Sequence, residues 1–488
     1  MLSIQMPDFW VIAPELILTL TAFVIIAQEL ITRSRNHAVS ASIAALGAIA
    51  ALVMTLITHT FNVYTFYDAV VLDPFASFFK VIFLFGLILA IAISLKQVSD
   101  SGSKDHSEYY ALLIFATVGM MVMAGGRELI TIFLGLELLS MSLYILAGFF
   151  RWDSLSNEAS LKYFVVGAFA TGILLFGMSY VYGVTGSTHL RLIGETLKAN
   201  PELVTDKALL LGLFMVLVGF GFKISVVPFH QWTPDVYQGA PTPVTAFMSA
   251  GPKAAGLAAV IRILTEAVPQ MNQQWEILVA VLAVLTMTVG NLAALAQTNI
   301  KRMLAYSSIA HVGYILIGLV ASVGGRSDRA LSAIMFYLLA YTFMNIGAFA
   351  ILIYLRRGKM ANEGLEDYSG LARRSPFAAL AMLVFLFSLA GIPPTAGFAA
   401  KLSIFYAAIQ GNYYWLAIIG ILNSAVAAYY YLRVVVYMYM KEPVGELPAA
   451  QSSPWLWVGI ALALAGTIYL GILPSEILNT AKNAVILL

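Results

Sequence analysis

The sequence contains no cysteine. That removes a disulfide framework, a thiolate-held zinc and cysteine-ligated iron–sulfur clusters from this chain. Charge is scarce too. Asp, Glu, Lys and Arg make up 11% of 488 residues, against roughly 25% in an ordinary soluble domain. A soluble chain of this length divides into roughly two or three domains with charged surfaces, and this one lacks the charges to cover them. The formal net charge is only +2, which argues against nucleic acid as a partner. No G-x-G-x-x-G or G-x-x-x-x-G-K-[ST] occurs, and the longest polar intervals, near 184–204 and 356–376, span only about 20 residues each. A nucleotide-binding βαβ unit needs more chain than that. The N-terminus lacks the basic start and small-residue cleavage site of a signal peptide, so its first apolar run reads as a retained span.

Apolar residues dominate instead, at 60% of the chain, with a mean hydropathy of +0.87. A membrane-crossing helix needs about 20 consecutive apolar residues. About fourteen such runs occur, near 9–31, 38–60, 75–95, 108–125, 128–149, 158–183, 205–229, 243–265, 275–297, 303–323, 330–355, 377–410, 413–440 and 455–473. Long runs exclude a β-barrel, whose strands alternate over roughly ten residues. The expected fold is an all-α polytopic membrane protein. Two runs are interrupted, the seventh near Pro228 and the twelfth at "GIPPTAG", and each break lies close to a lysine, Lys223 and Lys401. Paired interrupted helices in two halves point to an inverted-repeat transporter with its site at the breaks. The predicted division is three N-terminal spans (1–105), a first five-helix repeat (106–270), a second inverted repeat (271–440) and a last span (441–488). Alternate connections differ in Lys and Arg, about thirteen against seven, and the richer set is expected in the cytoplasm. Both termini then face the periplasm, and the missing transit peptide favours a bacterial plasma membrane.

The few ionisable groups inside these runs are Glu137, Lys162, Lys223, Lys253 and Lys401, with His230 and His311 near span ends and Lys80 and Lys301 early in their spans. Such groups are rare in hydrocarbon and mark ion or proton routes by default. An amine in apolar surroundings gives up its proton more readily, and a carboxylate in reach reverses that, so a lysine–glutamate pair can switch between charge states. Bland readings stand beside this one. Lys80 and Lys301 serve equally well as cations snorkelling to the interface, and Lys162, one turn into its span, allows the same. His230 also fits as a donor to carbonyls freed by Pro228, and His311 as a helix-packing hydrogen bonder. Unsatisfied backbone is tolerated at depth only inside protein or against water, so both breaks are expected to face a hydrated cavity. Ser225, Thr233, Thr242, Thr245, Tyr306, Ser307 and Ser308 are candidates to hold that water.

Two stretches carry a family resemblance. "KISVVPFHQWTPDVYQGAPTPVTAFMSAGPKAAG" (223–256) and "NIKRMLAYSSIAHVGYILIG" (299–318) resemble the signatures of the antiporter-like membrane subunits of respiratory complex I and of Mrp-type cation/proton antiporters. The resemblance covers essentially the whole chain. A lysine at 401, where the M-type subunit is expected to have glutamate, and a chain that ends soon after the last span, without the L-type lateral helix, set it apart from both of those branches. The resemblance implies proton translocation driven by NADH–quinone redox chemistry elsewhere in a complex. It implies that Glu137 tunes Lys223, that Lys253 is the central and Lys401 the exit-side lysine, that Lys162 lies on the same polar axis, and that His230 stands near the break; His311 and Lys301 are weaker candidates. It implies no cofactor or metal on this chain, with NADH, FMN, iron–sulfur clusters and quinone on other subunits. Expected partners are the M-type subunit, the small K-, J- and A-type subunits, the lateral helix of the L-type subunit, and lipid. An Mrp-type Na⁺/H⁺ antiporter subunit, a membrane-bound hydrogenase subunit and a passive scaffold are the alternatives.

Overall fold

The computed structural model describes residues 8–32, 37–100, 106–325, 327, 329–356, 363–443 and 453–486. Among the described residues nineteen α-helices follow one another: α1 Ala13–Thr32, α2 His37–Thr58, α3 Pro74–Asp100, α4 His106–Gly125, α5 Leu129–Ala147, α6 Ser154–Thr185, α7 Leu190–Ala199, α8 Lys207–Ile224, α9 Trp232–Gly239, α10 Thr242–Arg262, α11 Asn272–Leu295, α12 Ile300–Ala321, α13 Ala330–Leu355, α14 Leu371–Arg374, α15 Pro376–Ala390, α16 Ala396–Gln410, α17 Tyr414–Met440, α18 Pro454–Ile472 and α19 Pro474–Ile486. Thirteen helices among the described residues are long and apolar enough to cross a membrane. The remaining predicted run, 377–410, is the pair α15 and α16, each too short to span alone. The seventh run likewise stops at Ile224 and resumes as the short α9. Arg33, Arg35, Lys104, Arg326, Arg357 and Lys359, on which the predicted orientation partly rests, lie outside the described residues.

Several segments read as connections carry structure, among them the 356–376 interval, which holds α14. The 184–204 interval holds α7, which buries Leu190, Ile193 and Leu197 and exposes its charges, the one-sided spacing of a surface helix. Between α2 and α3 a hairpin pairs β1 (Val63–Thr65) with β2 (Val70–Leu72) antiparallel, Tyr64 opposite Val71. Beyond the last predicted span lies α19.

The interior is built around α10. This helix is buried along its whole length, and α12 and α13 along nearly all of theirs, whereas α6 is buried over about a third. Small residues make this possible: α10 reads TPVTAFMSAGPKAAGLAAVIR, and without a large side chain its backbone approaches its neighbours closely. A Cβ at Gly256 would run into Ile224, and one at Gly251 into Met120.

Buried ion pairs tie the peripheral helices to this core. Lys80 on α3 meets Glu15 on α1 at 2.7 Å, both buried. At the end of α10, Arg262 donates to both carboxylate oxygens of Asp73, at 3.1 and 2.9 Å, to Glu266 Oε1 at 2.8 Å and to the carbonyl of Ala124 at 3.1 Å. Arg127 then meets the other oxygen of Glu266 at 2.8 Å. Glu15, Asp73, Arg262 and Glu266 were absent from the sequence reading of charges at depth, because each lies near the end of an apolar run. Lys80 does not snorkel; it is 1% exposed and paired.

Candidate functional site

The first break forms because Ser225 turns left-handed (φ 65°) and caps α8 through its N–H to the Gly221 and Phe222 carbonyls. Protein groups complete the cap. Val226 N–H reaches Gly221 O at 2.8 Å, the Trp232 indole donates to Phe222 O at 3.1 Å, and Val227 N–H donates to Thr286 Oγ1 at 3.1 Å. Ser225 and Thr233 join across the break at 2.8 Å. Pro228 itself is exposed and His230 half-buried. One turn before the break, Lys223 is buried. Its Nζ donates to Ser140 Oγ at 2.9 Å and makes a longer contact to the Tyr163 hydroxyl, 3.4 Å, with the Tyr163 ring centroid 5.8 Å away.

Lys253 sits at the centre of α10, 2% exposed. Its Nζ donates to Ser308 Oγ at 2.7 Å and to the Ser308 carbonyl at 3.1 Å, 5.7 Å from the Tyr237 ring centroid. From Ser308 the polar groups continue along one face of α12. His311 contacts the Tyr337 hydroxyl through Nδ1 at 2.7 Å and the Tyr431 hydroxyl through Nε2 at 3.2 Å. Ser307 also bonds Tyr431. Tyr314 follows, its hydroxyl accepting from Asn291 at 2.9 Å. Positions 307, 308, 311 and 314 share a helix face by the three-to-four-residue repeat.

The second break begins at Gly391, which ends α15 at φ 89°, a backbone conformation glycine adopts freely. Gly397 N–H donates to Ser388 Oγ at 2.9 Å and pins α16 against α15. Here the lysine itself is the cap. Lys401 Nζ donates to the carbonyls of Leu389 (3.0 Å) and Ala390 (2.9 Å) and to Ser424 Oγ (2.9 Å). These are the last carbonyls of α15, the negative end of its dipole. The Tyr314 ring lies 5.1 Å from the ammonium.

The three buried lysines therefore share one environment: a serine hydroxyl (Ser140, Ser308, Ser424) and a tyrosine ring (Tyr163, Tyr237, Tyr314). None has a carboxylate within ion-pair distance among the described residues. The other candidates lie around this row. Glu137 is half-buried three residues before Ser140 and accepts from Thr171 at 3.0 Å; it does not touch Lys223. Lys162 is not brought into the row: its side chain is 44% exposed and pairs with Glu158 at 2.7 Å and Asp235 at 3.0 Å. Lys301 is buried, caps α9 through the Gln238 and Ala240 carbonyls at 2.8 and 2.9 Å, and lies 3.4 Å from Glu363. The tyrosines and Ser140, Ser424 were missed in the sequence, where nothing separates them from the other Tyr and Ser of apolar runs. Among the described residues no group of three or more His, Asp or Glu is placed to hold a metal.

Fold and site together define a class, a polytopic helical membrane protein whose interior holds three lysines with no carboxylate partner among the described residues. The family described as NADH:quinone oxidoreductase/Mrp antiporter, TM, matches residues 126–427. NADH-quinone oxidoreductase subunit N of Trichlorobacter lovleyi is 50% identical over 475 residues, 97% of this chain and 96% of that protein. The chain belongs to this family and, within it, to the subunit N group. A chain in the structure of respiratory complex I from Thermus thermophilus with bound aureothin aligns with a TM-score of 0.81 at 33% identity, over 96% of this chain and 99% of that one. A chain of the Mrp complex from Dietzia has the same fold, with a TM-score of 0.81 at 22% identity over 97% of each.

Proposed function

We propose that this chain is a proton-translocating membrane-arm subunit of an NADH–quinone oxidoreductase and that its protons move along Lys223, Lys253 and Lys401. The observation that carries this reading is that none of these three lysines has a carboxylate partner among the described residues. Elsewhere the chain pairs its buried cations: Lys80 has Glu15, and Arg262 has Asp73 and Glu266. A buried charge left without a counter-charge is costly, and a group that exchanges its proton must be able to exist in both states. Protons enter near the first break on the cytoplasmic side and load Lys223. They pass to Lys253, follow Ser308, His311 and water along α12, reach Lys401 and leave on the opposite side. Glu137, one turn from Ser140, acts on Lys223 through space rather than by contact. His230, half-buried at the break, stands at the uptake side. One pKa unit corresponds to about 1.4 kcal/mol, and moving a charge against 100 mV needs about 2.3 kcal/mol, so shifts of a few units along the row suffice.

The redox cofactors, NADH, FMN, iron–sulfur clusters and quinone, belong to other subunits. The neighbours are an M-type subunit, the small K-, J- and A-type subunits and the lateral helix of the L-type subunit, in a bacterial inner membrane with both termini periplasmic. Residues 106–270 and 271–440 form two inverted repeats, a reading supported by the two breaks, each beside a buried lysine. The 50% identity to a subunit N over nearly the whole chain favours this assignment over an Mrp-type sodium antiporter. The test is Lys223→Ala in the assembled complex, read as NADH-driven proton uptake by inverted membrane vesicles. Uptake should collapse; uptake at the parental level per NADH oxidised would remove Lys223 from the route.

A further inference from the structure

The eight-residue helix α9 shapes the surroundings of two of the row lysines. At its start the Trp232 ring stacks on Tyr163, centroids 4.5 Å apart and planes within 12°, and the Tyr163 hydroxyl is the one that meets Lys223. Near its end Tyr237 lies beside Lys253. A helix this short has too few internal hydrogen bonds to be stable alone, so neighbouring elements set its position. Three cations do so. Asp235, midway along α9, accepts from Lys162 of α6 on Oδ2 at 3.0 Å and from Arg302 of α12 on Oδ1 at 2.6 Å. Arg302 also reaches Gln238 Oε1 at 3.0 Å. Lys301 holds the last carbonyls of α9.

We propose that Asp235, gripped between Lys162 and Arg302, is an ionic clamp that sets the position of α9 and with it the aromatic contacts of Lys223 and Lys253. Asp235 is a positioning residue and carries no proton. A single half-exposed ion pair contributes little. Here both oxygens of one carboxylate are engaged by cations from two different helices, and charge-assisted bonds of this kind also fix geometry. Lys162 thereby acquires a role off the row: it holds α9 instead of carrying charge. The consequence for pumping rests on the relay reading; the clamp itself does not.

The absence of native cysteine allows a clean reporter. Val236, fully buried on α9, is replaced in the assembled complex by Val236→Cys, and its labelling by a membrane-impermeant maleimide is read on this chain after electrophoretic separation. Proton uptake per NADH oxidised is measured in the same vesicles. With Asp235 intact the cysteine stays protected. Adding Asp235→Asn should raise labelling several-fold and lower uptake several-fold, and Asp235→Glu should restore both. Unchanged labelling in Asp235→Asn overturns the clamp, and a fall in uptake without a rise in labelling would make Asp235 a carrier instead. Raised labelling with parental uptake would show that α9 does not govern the lysines. Should Asp235→Asn fail to assemble, Arg302→Gln, which leaves Lys162 on Asp235, carries the same comparison. A failure of the relay itself is seen separately, as full pumping by Lys223→Ala.

Discussion

A buried cation persists in hydrocarbon either because a carboxylate neutralises it or because its charge is not permanent, and the residues of this chain fall into these two groups. Lys80 is of the first kind. Replacing it by methionine leaves Glu15 buried and alone, and breaking such a pair costs about 3–5 kcal/mol. Lys80→Met should therefore reduce the amount of assembled complex and its thermal midpoint. Lys253 is of the second kind. Its partners are the carbonyl and hydroxyl of Ser308, and that hydroxyl keeps its own bond to the Ala305 carbonyl at 2.6 Å when the lysine is gone. Lys253→Met should assemble like the parent and fail to pump. A thermal shift for Lys253→Met as large as that for Lys80→Met would show that Lys253 is structural after all. Both lysines look alike in the sequence, as single cations in apolar runs. Glu15 gives no local sign that it serves Lys80, 65 positions away by their numbers.

The two broken runs resemble each other as elements, each interrupted by proline near a lysine, and both contain a cis X–Pro peptide, Val227–Pro228 and Pro393–Pro394. Their caps differ. At the first break the carbonyls are held by Ser225, Val226 and the Trp232 indole, so Lys223 is left to Ser140 and Tyr163. At the second break Lys401 is itself tied to the carbonyls. Position 397 tests this geometry. A Cβ there collides with the Ser388 carbonyl, so Gly397→Ala should push α16 off α15, remove Lys401 from its carbonyls and lower both stability and pumping. A Cβ at Gly183 of α6 would meet nothing within 4 Å, and alanine in a helix is favoured over glycine by up to about 1 kcal/mol. Gly183→Ala should leave the thermal midpoint unchanged or raise it. If the two variants melt and pump alike, the second break does not depend on this close approach. The breaks were legible from Pro and Gly alone. The difference between their caps was not, because the competing donors, an indole nine residues on from Lys223 and a lysine, are indistinguishable as caps until the chain has folded back.

For the molecule as a whole, the distribution of Lys and Arg predicts which end of each helix meets the cytoplasm, and this has a direct test. Lys441, after α17, and Lys482, in α19, are both exposed and lie on opposite sides in the proposed topology. In right-side-out vesicles an impermeant maleimide should label Lys482→Cys and spare Lys441→Cys. The reverse pattern would invert the topology and with it the direction assigned to the lysine row. The layered burial, with α10, α12 and α13 inside and α6 at the edge, also accounts for how the candidate residues sorted. Lys223 and His311 sit on α8 and α12, which pack against α10 with its Lys253, and Lys401 on α16 reaches this group through α12, while Lys162 on α6 is left at the periphery.

Sequence alone determined that the chain is a helical membrane protein, where two of its spans break, and that Lys223, Lys253 and Lys401 lie within apolar runs. These are local properties: the length of apolar run that crosses a bilayer, the backbone bond that proline removes, the cost of one charge among apolar neighbours. Only the tertiary structure decided which buried cations meet a carboxylate and which meet hydroxyls and carbonyls. Arg262 finds Asp73 across 189 positions, and Lys253 finds Ser308 across 55. An ion pair acts over a few ångströms of space whatever the separation along the chain, so pairing is settled only when the helices pack.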